Sequence, residues 1–225
     1  MNYNDLEELY NKYINKYGDK AYLHISELLE EAKNKHFEDW LKDHPNGDHE
    51  QSWRAFKGKN LEKLVEFIVK TQLNNLSLKV VNGNLLERNT NLSEELSRVK
   101  RNILVDFGVF GAHLPDADLV IYKPDSYEVI AIASIKVTLR ERIAQSAYWK
   151  LKLKEDPITK NIRVLFITPD EDNTLMYNNS INVKKSKAIV ETDLDCTYIL
   201  SEEKIDKDNK IKPFGEFIED LKNLI

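Results

Sequence analysis

The chain has one cysteine, Cys196, among 225 residues. A lone thiol forms no internal disulfide and builds no cysteine-based zinc cluster. Glycine and proline are sparse, at seven and six residues, which argues against a low-complexity chain. No apolar run approaches membrane-spanning length, and the N-terminal "MNYNDLEELYNKY" is acidic and polar, without a signal-peptide core. A cytoplasmic location is therefore the expectation. The five histidines (His24, His36, His44, His49 and His113) make no HExxH and no paired metal spacing in sequence. Also absent are a P-loop, a dinucleotide-binding glycine motif and a nucleophile elbow.

What is present is charge. Charged residues make up 32% of the chain and hydrophobic ones 41%, which describes a globular protein with a heavily charged surface. The net charge of −5 does not advertise nucleic-acid binding. Its distribution does: Lys136, Arg140, Arg142, Lys150, Lys152 and Lys154 face one acid, Glu141, between Ile135 and Lys154. A concentrated basic zone matters more for phosphate binding than the chain total. Arg54, Lys57 and Lys59 in "SWRAFKGK" are further candidates for backbone contacts.

The length fits one domain. We divide it into a helical N-terminal region over 1–50, a core over 54–200 and a C-terminal helix over 213–225. Apolar residues recur at helical spacing through 5–42, with "YGDK" (Tyr17 to Lys20) dividing two helices. A loop is expected from Lys42 to Ser52, around Pro45 and Asn46-Gly47. "GKNLEKLVEFIVKTQL" predicts an amphipathic helix from Gly58 to Leu73, with Asn60 as its cap. A strand is expected over Leu76–Val81 and a helix over 91–101. Two strands, Asp118–Tyr122 and Tyr127–Val137, follow, then a helix over Leu139–Lys154 and a strand over Ile162–Thr168. "KAIVETDLDCTYIL" predicts one or two short strands. The order implies an α/β fold with a central mixed sheet covered by helices.

Chemistry concentrates in "PDADLVIYKPDSYEVIAIASIKV" (Pro115 to Val137). Side chains alternate along strands, so Asp116 and Asp118 share one face, and Ser134 and Lys136 share one face of the partner. Polar groups thus gather where the sheet leaves the core. Carboxylate oxygens there suit a hard divalent cation, and such a cation accelerates phosphodiester hydrolysis.

These residues resemble the hairpin of the PD-(D/E)XK nuclease superfamily, in which type II restriction endonucleases are prominent. "PDADLVIYKP" followed by "IAIASIKVT" matches it. The resemblance implies a restriction-endonuclease-like core with Asp118 as metal aspartate, Asp116 as its rival, and Lys136 as catalytic lysine. Ser134 stands where the family has its second acid. A carboxylate from elsewhere then completes the site: Glu62, in a "G-x-x-x-E" run, or Glu66 one turn later. "SIKVTLRERIAQSAYWK" is similar to the "x-K-T-S-x-R-(D/E)-R" segment of a subset of restriction enzymes, including some that cut CCGG-containing sites. That likeness gives Arg140, Glu141 and Arg142 base-reading roles, and Thr138 a cap or phosphate contact. The implied activity is Mg2+-dependent, site-specific hydrolysis of double-stranded DNA leaving 5′-phosphates. A two-fold homodimer would match palindromic sites, and a cognate methyltransferase would act on the same site. The alternatives are a repair or structure-specific nuclease on this scaffold, and a non-catalytic DNA-binding protein.

Overall fold

Apolar side chains at helical spacing place three helices at the start of the chain. In the computed structural model these are α1 (Tyr3–Tyr17), α2 (Ile25–Asp43) and α3 (His49–Leu73), with a 3-10 segment Gly18–His24 between the first two. The structure describes residues 1–44, 47–73, 76–138, 140–176, 184–201, 205 and 210–224, without the side chains of Arg140 and Glu141. A capping box starts α1: Asn2 accepts from Asp5 N–H, and Asp5 accepts from Asn2 N–H.

The helix expected from Gly58 begins nine residues earlier, at His49. Its buried face runs through Trp53, Lys57 and Asn60 before Leu61 and Leu64, so two polar residues interrupt the apolar period. Asn60 is no cap; its Nδ2 donates to Phe56 O at 2.9 Å inside the helix. The loop expected over Lys42–Ser52 shrinks accordingly.

Beyond α3 come β1 (Lys79–Asn82), α4 (Gly83–Arg88) and α5 (Glu94–Arg101), the last capped by Ser93. A small hairpin pairs β2 (Val105–Asp106) with β3 (Ala112–His113). The main elements follow: β4 (Leu119–Tyr122), β5 (Val129–Ile135), α6 (Arg140–Lys154), β6 (Arg163–Thr168), α7 (Lys185–Asp193), β7 (Cys196–Ile199), β8 (Ile211–Pro213) and α8 (Phe217–Lys222). Of "KAIVETDLDCTYIL", where one or two short strands were expected, "CTYI" is the strand β7 and "KAIVETD" belongs to the helix α7. Parallel β6 and β7 need a crossover between them, and this helix supplies it.

Six strands form a mixed sheet in the order β1-β4-β5-β6-β7-β8. The pairings β1–β4 and β4–β5 are antiparallel, and those from β5 to β8 are parallel. All seven residues of β5 are buried, as in a strand covered on both faces. Leu119, Ile121, Ala133 and Ile135 pack with Leu61, Leu64 and Ile68 of α3 and Leu6 and Tyr10 of α1. Val120, Ile132 and Phe166 pack on the other face with Ile143 and Ala147 of α6 and Val190 of α7. Each such leucine, isoleucine, valine or phenylalanine side chain contributes about 1.5–3 kcal/mol by leaving water. The result is a stiff central strand whose end is fixed in space, with α3 on one side and α6 on the other.

Candidate active site

The β4–β5 hairpin opens at its Asp118 end. Asp118 N–H donates to Ala133 O at 2.9 Å, the last ladder bond before the strands part. The Asp118 carboxylate fills the gap: Oδ2 accepts Ile135 N–H at 2.6 Å, and Lys136 Nζ lies 2.8 Å from both oxygens. The aspartate side chain is 6% exposed and the lysine 28%, so the pair is rooted in the core with its cationic end toward solvent. Charge-assisted bonds of this length are among the stronger protein hydrogen bonds.

Glu62 approaches from α3. Asn82 Nδ2 donates to Glu62 Oε1 at 3.1 Å and to Glu66 Oε2 at 2.9 Å. Glu66 also takes Lys70 Nζ at 2.5 Å. Burial pushes the Glu62 carboxyl above its usual range, and the negative charge of Asp118 adds to the effect. Asn82 and Lys136 pull the other way without cancelling it. Buried beside a second carboxylate, Glu62 holds a proton more readily than a free carboxyl does. A cleft of about 290 Å³ opens beside Asp118, lined by Gly58, Glu62, Ile135, Lys136, Thr138 and Arg142.

The other expected site residues are placed differently. The Ser134 hydroxyl accepts from Ser146 Oγ of α6 at 3.2 Å and reaches Asp116 O at 3.5 Å. Its bonds therefore run to α6 and the Asp116 backbone. Asp116 is half-exposed; it takes Gln145 Nε2 at 2.5 Å and has Arg142 Nη1 at 3.9 Å. Asp116 thus binds the α6 surface. Arg142 also bonds Gln145 Oε1 at 3.2 Å, and Thr138 is exposed. The Arg140 and Glu141 side chains lie outside the described residues.

Part of the basic zone turns inward. Lys150 is buried, bonding Ile162 O at 3.0 Å and Asp195 at 2.5 Å, so it is not available to phosphate. Lys57 is also buried and paired with Glu171, with the Trp53 ring 5.8 Å from its ammonium. A larger hollow of about 660 Å³ opens beside Lys150 and Asp195, away from Asp118. Its size does not make it the site, because those two groups already satisfy each other.

The donor set suits a hard cation only in part. Asp118 and Glu62 supply carboxylate oxygens and excess negative charge. No group of three His, Cys, Asp or Glu able to hold a metal occurs among the described residues. Two carboxylates leave most positions around Mg2+ to water and phosphate oxygens, the usual state of that ion. His36 Nδ1 and His49 Nε2 do meet at 3.0 Å, in an aromatic cluster on α2 and α3, and share a hydrogen bond. Sequence reasoning missed Asn82 and Gly83. The only signal was an Asn-Gly pair, which reads as an ordinary turn.

The family pattern described as "BsaWI restriction endonuclease type 2" matches residues 95–222, which include the hairpin and α6 but not Glu62. A protein of Methanocaldococcus jannaschii, provisionally named the type II restriction enzyme MjaVIP, is 38% identical over 210 residues, 88% of this chain and 92% of that one. A Helicobacter pylori protein, also provisionally named a type II restriction enzyme, is 36% identical over 129 residues, 57% of this chain and 66% of that one. No helix among the described residues is long and apolar enough to cross a membrane.

Proposed function

The chain belongs to the BsaWI family of type II restriction endonucleases, site-specific deoxyribonucleases that are generally metal-dependent, and from that premise we propose that it cuts double-stranded DNA in the Asp118–Lys136–Glu62 cleft with Mg2+. The observation that carries the assignment is Lys136 Nζ bonded to both Asp118 oxygens where the two central strands part, in a cleft shared with Glu62.

Asp118 and Glu62 are the residues that would hold Mg2+. When bound, the ion supplies charge stabilisation at the phosphoryl oxygens and a more acidic water. Lys136, as an ammonium, orients the attacking water and donates to the non-bridging phosphate oxygens. In-line attack breaks the bond from phosphorus to O3′, leaving a 5′-phosphate and a 3′-hydroxyl. Asp116 stays out of the metal set, since Gln145 and Arg142 engage it. Ser134 serves the same chemistry indirectly, by holding the middle of α6 against β5.

Arg140, Glu141 and Arg142 open α6 beside the cleft, where guanidinium groups can read guanine O6 and N7 and a carboxylate can accept from cytosine N4. Thr138 lies where a phosphate would pass. The whole chain is one nuclease domain in this reading. It acts as a homodimer on a palindromic site, in the cytoplasm, with a methyltransferase protecting the same sequence.

Lys136→Ala is the test. Cleavage of plasmid DNA should fall by about 10²–10³-fold, the usual scale of losing one positioned donor to the reacting group. Specific DNA binding should persist. Discrete bands at the wild-type rate from this variant would end the assignment.

A further inference from the structure

One dipeptide touches both carboxylate-bearing segments, and neither the family pattern nor the hairpin motif includes it. Asn82 ends β1, paired with Leu119 of β4, the residue after Asp118. Its side chain is used in full. Oδ1 accepts Asn84 N–H at 3.0 Å and caps α4. Nδ2 donates to Glu62 and to Glu66, one helical turn apart on α3. The amide orientation is set by these partners, because only the nitrogen can face two carboxylates.

Gly83 completes the clamp on the other side. Its N–H donates to Asp118 O at 2.9 Å. A Cβ at this position would lie 1.8 Å from Ala117 O, so only glycine lets the backbone come this close. The side chain of Asn82 therefore fixes Glu62, and the backbone of Gly83 fixes Asp118.

We propose that Asn82-Gly83 is the positioning element of the cleavage site, setting the Glu62 carboxylate and the Asp118 backbone in one frame so that a divalent cation meets two prepared oxygen donors. It rests on the assignment of Asp118 and Glu62 made above. Asn82 is a positioning residue, acting through Glu62. Partners of this kind typically contribute about 10–100-fold in metal affinity. Glu66 fits the same picture: held between Lys70 and Asn82, it keeps the amide turned toward α3.

Asn82→Ser separates this role from simple support. Serine caps a helix about as well as asparagine, so α4 and the fold are retained. Its single short hydroxyl cannot donate to both glutamates. Two quantities are to be read: Mn2+ binding to the DNA-free protein, from the resonance signal of free Mn2+, and the Mg2+ concentration for half-maximal cleavage. Both should weaken by about 10–100-fold, with the melting temperature unchanged and the cleavage rate recovering at saturating Mg2+. Wild-type Mn2+ binding and wild-type Mg2+ demand overturn the proposal. So does a drop in melting temperature with cleavage that excess Mg2+ does not restore.

Glu62→Gln, measured alongside, keeps the two questions apart. If it cleaves at the wild-type rate, the assigned site itself falls. If it is inactive while Asn82→Ser behaves as wild type, the site stands and only the positioning role is lost. Gly83→Ala probes the other half of the clamp by forcing the Asp118 backbone outward. Asn82→Ser carries the decision should that variant fail to fold.

Discussion

Two lysine–aspartate pairs stand at opposite ends of the central strands, and they differ in what surrounds them. At one end Lys150 and Asp195 close on each other: Asp195 also accepts Val164 N–H at 2.7 Å and Arg163 at 3.1 Å, and Lys150 also donates to Ile162 O. Burial lowers the Lys150 pKa despite its partner. Burial also works to raise the Asp195 carboxyl, but its donors hold it below the usual range. Two cations and a backbone N–H serve one carboxylate. At the other end Lys136 serves Asp118 while Glu62 stands by with its carboxyl raised by burial and by Asp118. A buried ion pair is therefore no mark of function by itself. In the proposed reading, what sets Asp118 and Lys136 apart is a second carboxylate, Glu62, lining the same cleft as Lys136.

The largest expected contrast comes from removing each lysine. Lys136→Ala should abolish most cleavage per folded molecule, and because it leaves the buried Asp118 carboxylate with the Ile135 N–H in place of its cation, it should also cost stability. Lys150→Met should cost stability alone. Breaking a buried pair costs roughly 3–5 kcal/mol, read by denaturant unfolding, while cleavage per folded molecule holds. A Lys150 variant that folds normally and fails to cut would dissolve the distinction.

Acidity sharpens it next. A carboxyl whose pKa is raised on folding adds stability that is fully present below its unfolded value and is lost as pH rises through its folded value. Without metal, Glu62 should therefore favour the fold at the acid side of its titration and disfavour it above. A divalent cation and a proton compete for the same oxygens. Raising Mg2+ should move the acid limb of the cleavage–pH profile to lower pH, and Glu62→Gln should remove that movement. An acid limb that ignores Mg2+ would separate Glu62 from the metal.

The sheet and hairpin were legible because β4 and β5 are apolar runs between turn residues, and the Asp118–Lys136 pair sits at their ends. Glu62 was legible only through a resemblance, since nothing local distinguishes it from Glu66 or from a solvated glutamate. The first turns of α3 were hidden because Lys57 and Asn60 occupy its buried face. Lys150 was misjudged because burial of a lysine depends on a partner, Asp195, far away in the chain. Asn82-Gly83 was invisible for the same reason: its value lies in Glu62 and Asp118, remote in sequence and brought beside it by β1–β4 pairing.

The smallest expected effect belongs to Ser134, at the position where the superfamily places an acid. If its hydroxyl were needed in the cleft, Ser134→Ala would cripple cleavage as Lys136→Ala does. The geometry argues otherwise. The hydroxyl spends its bonds on Ser146 at 3.2 Å and on the Asp116 carbonyl at 3.5 Å, the latter long for a good hydrogen bond. Ser146 Oγ also lies 3.2 Å from Arg142 O, so its one hydrogen has another acceptor when Ser134 loses its oxygen. The loss should be near one ordinary hydrogen bond, about 1 kcal/mol, with cleavage per folded molecule within a few-fold of wild type. A collapse of the cleavage rate at unchanged stability would instead bring Ser134 into the site, and with it the α6 side of β5.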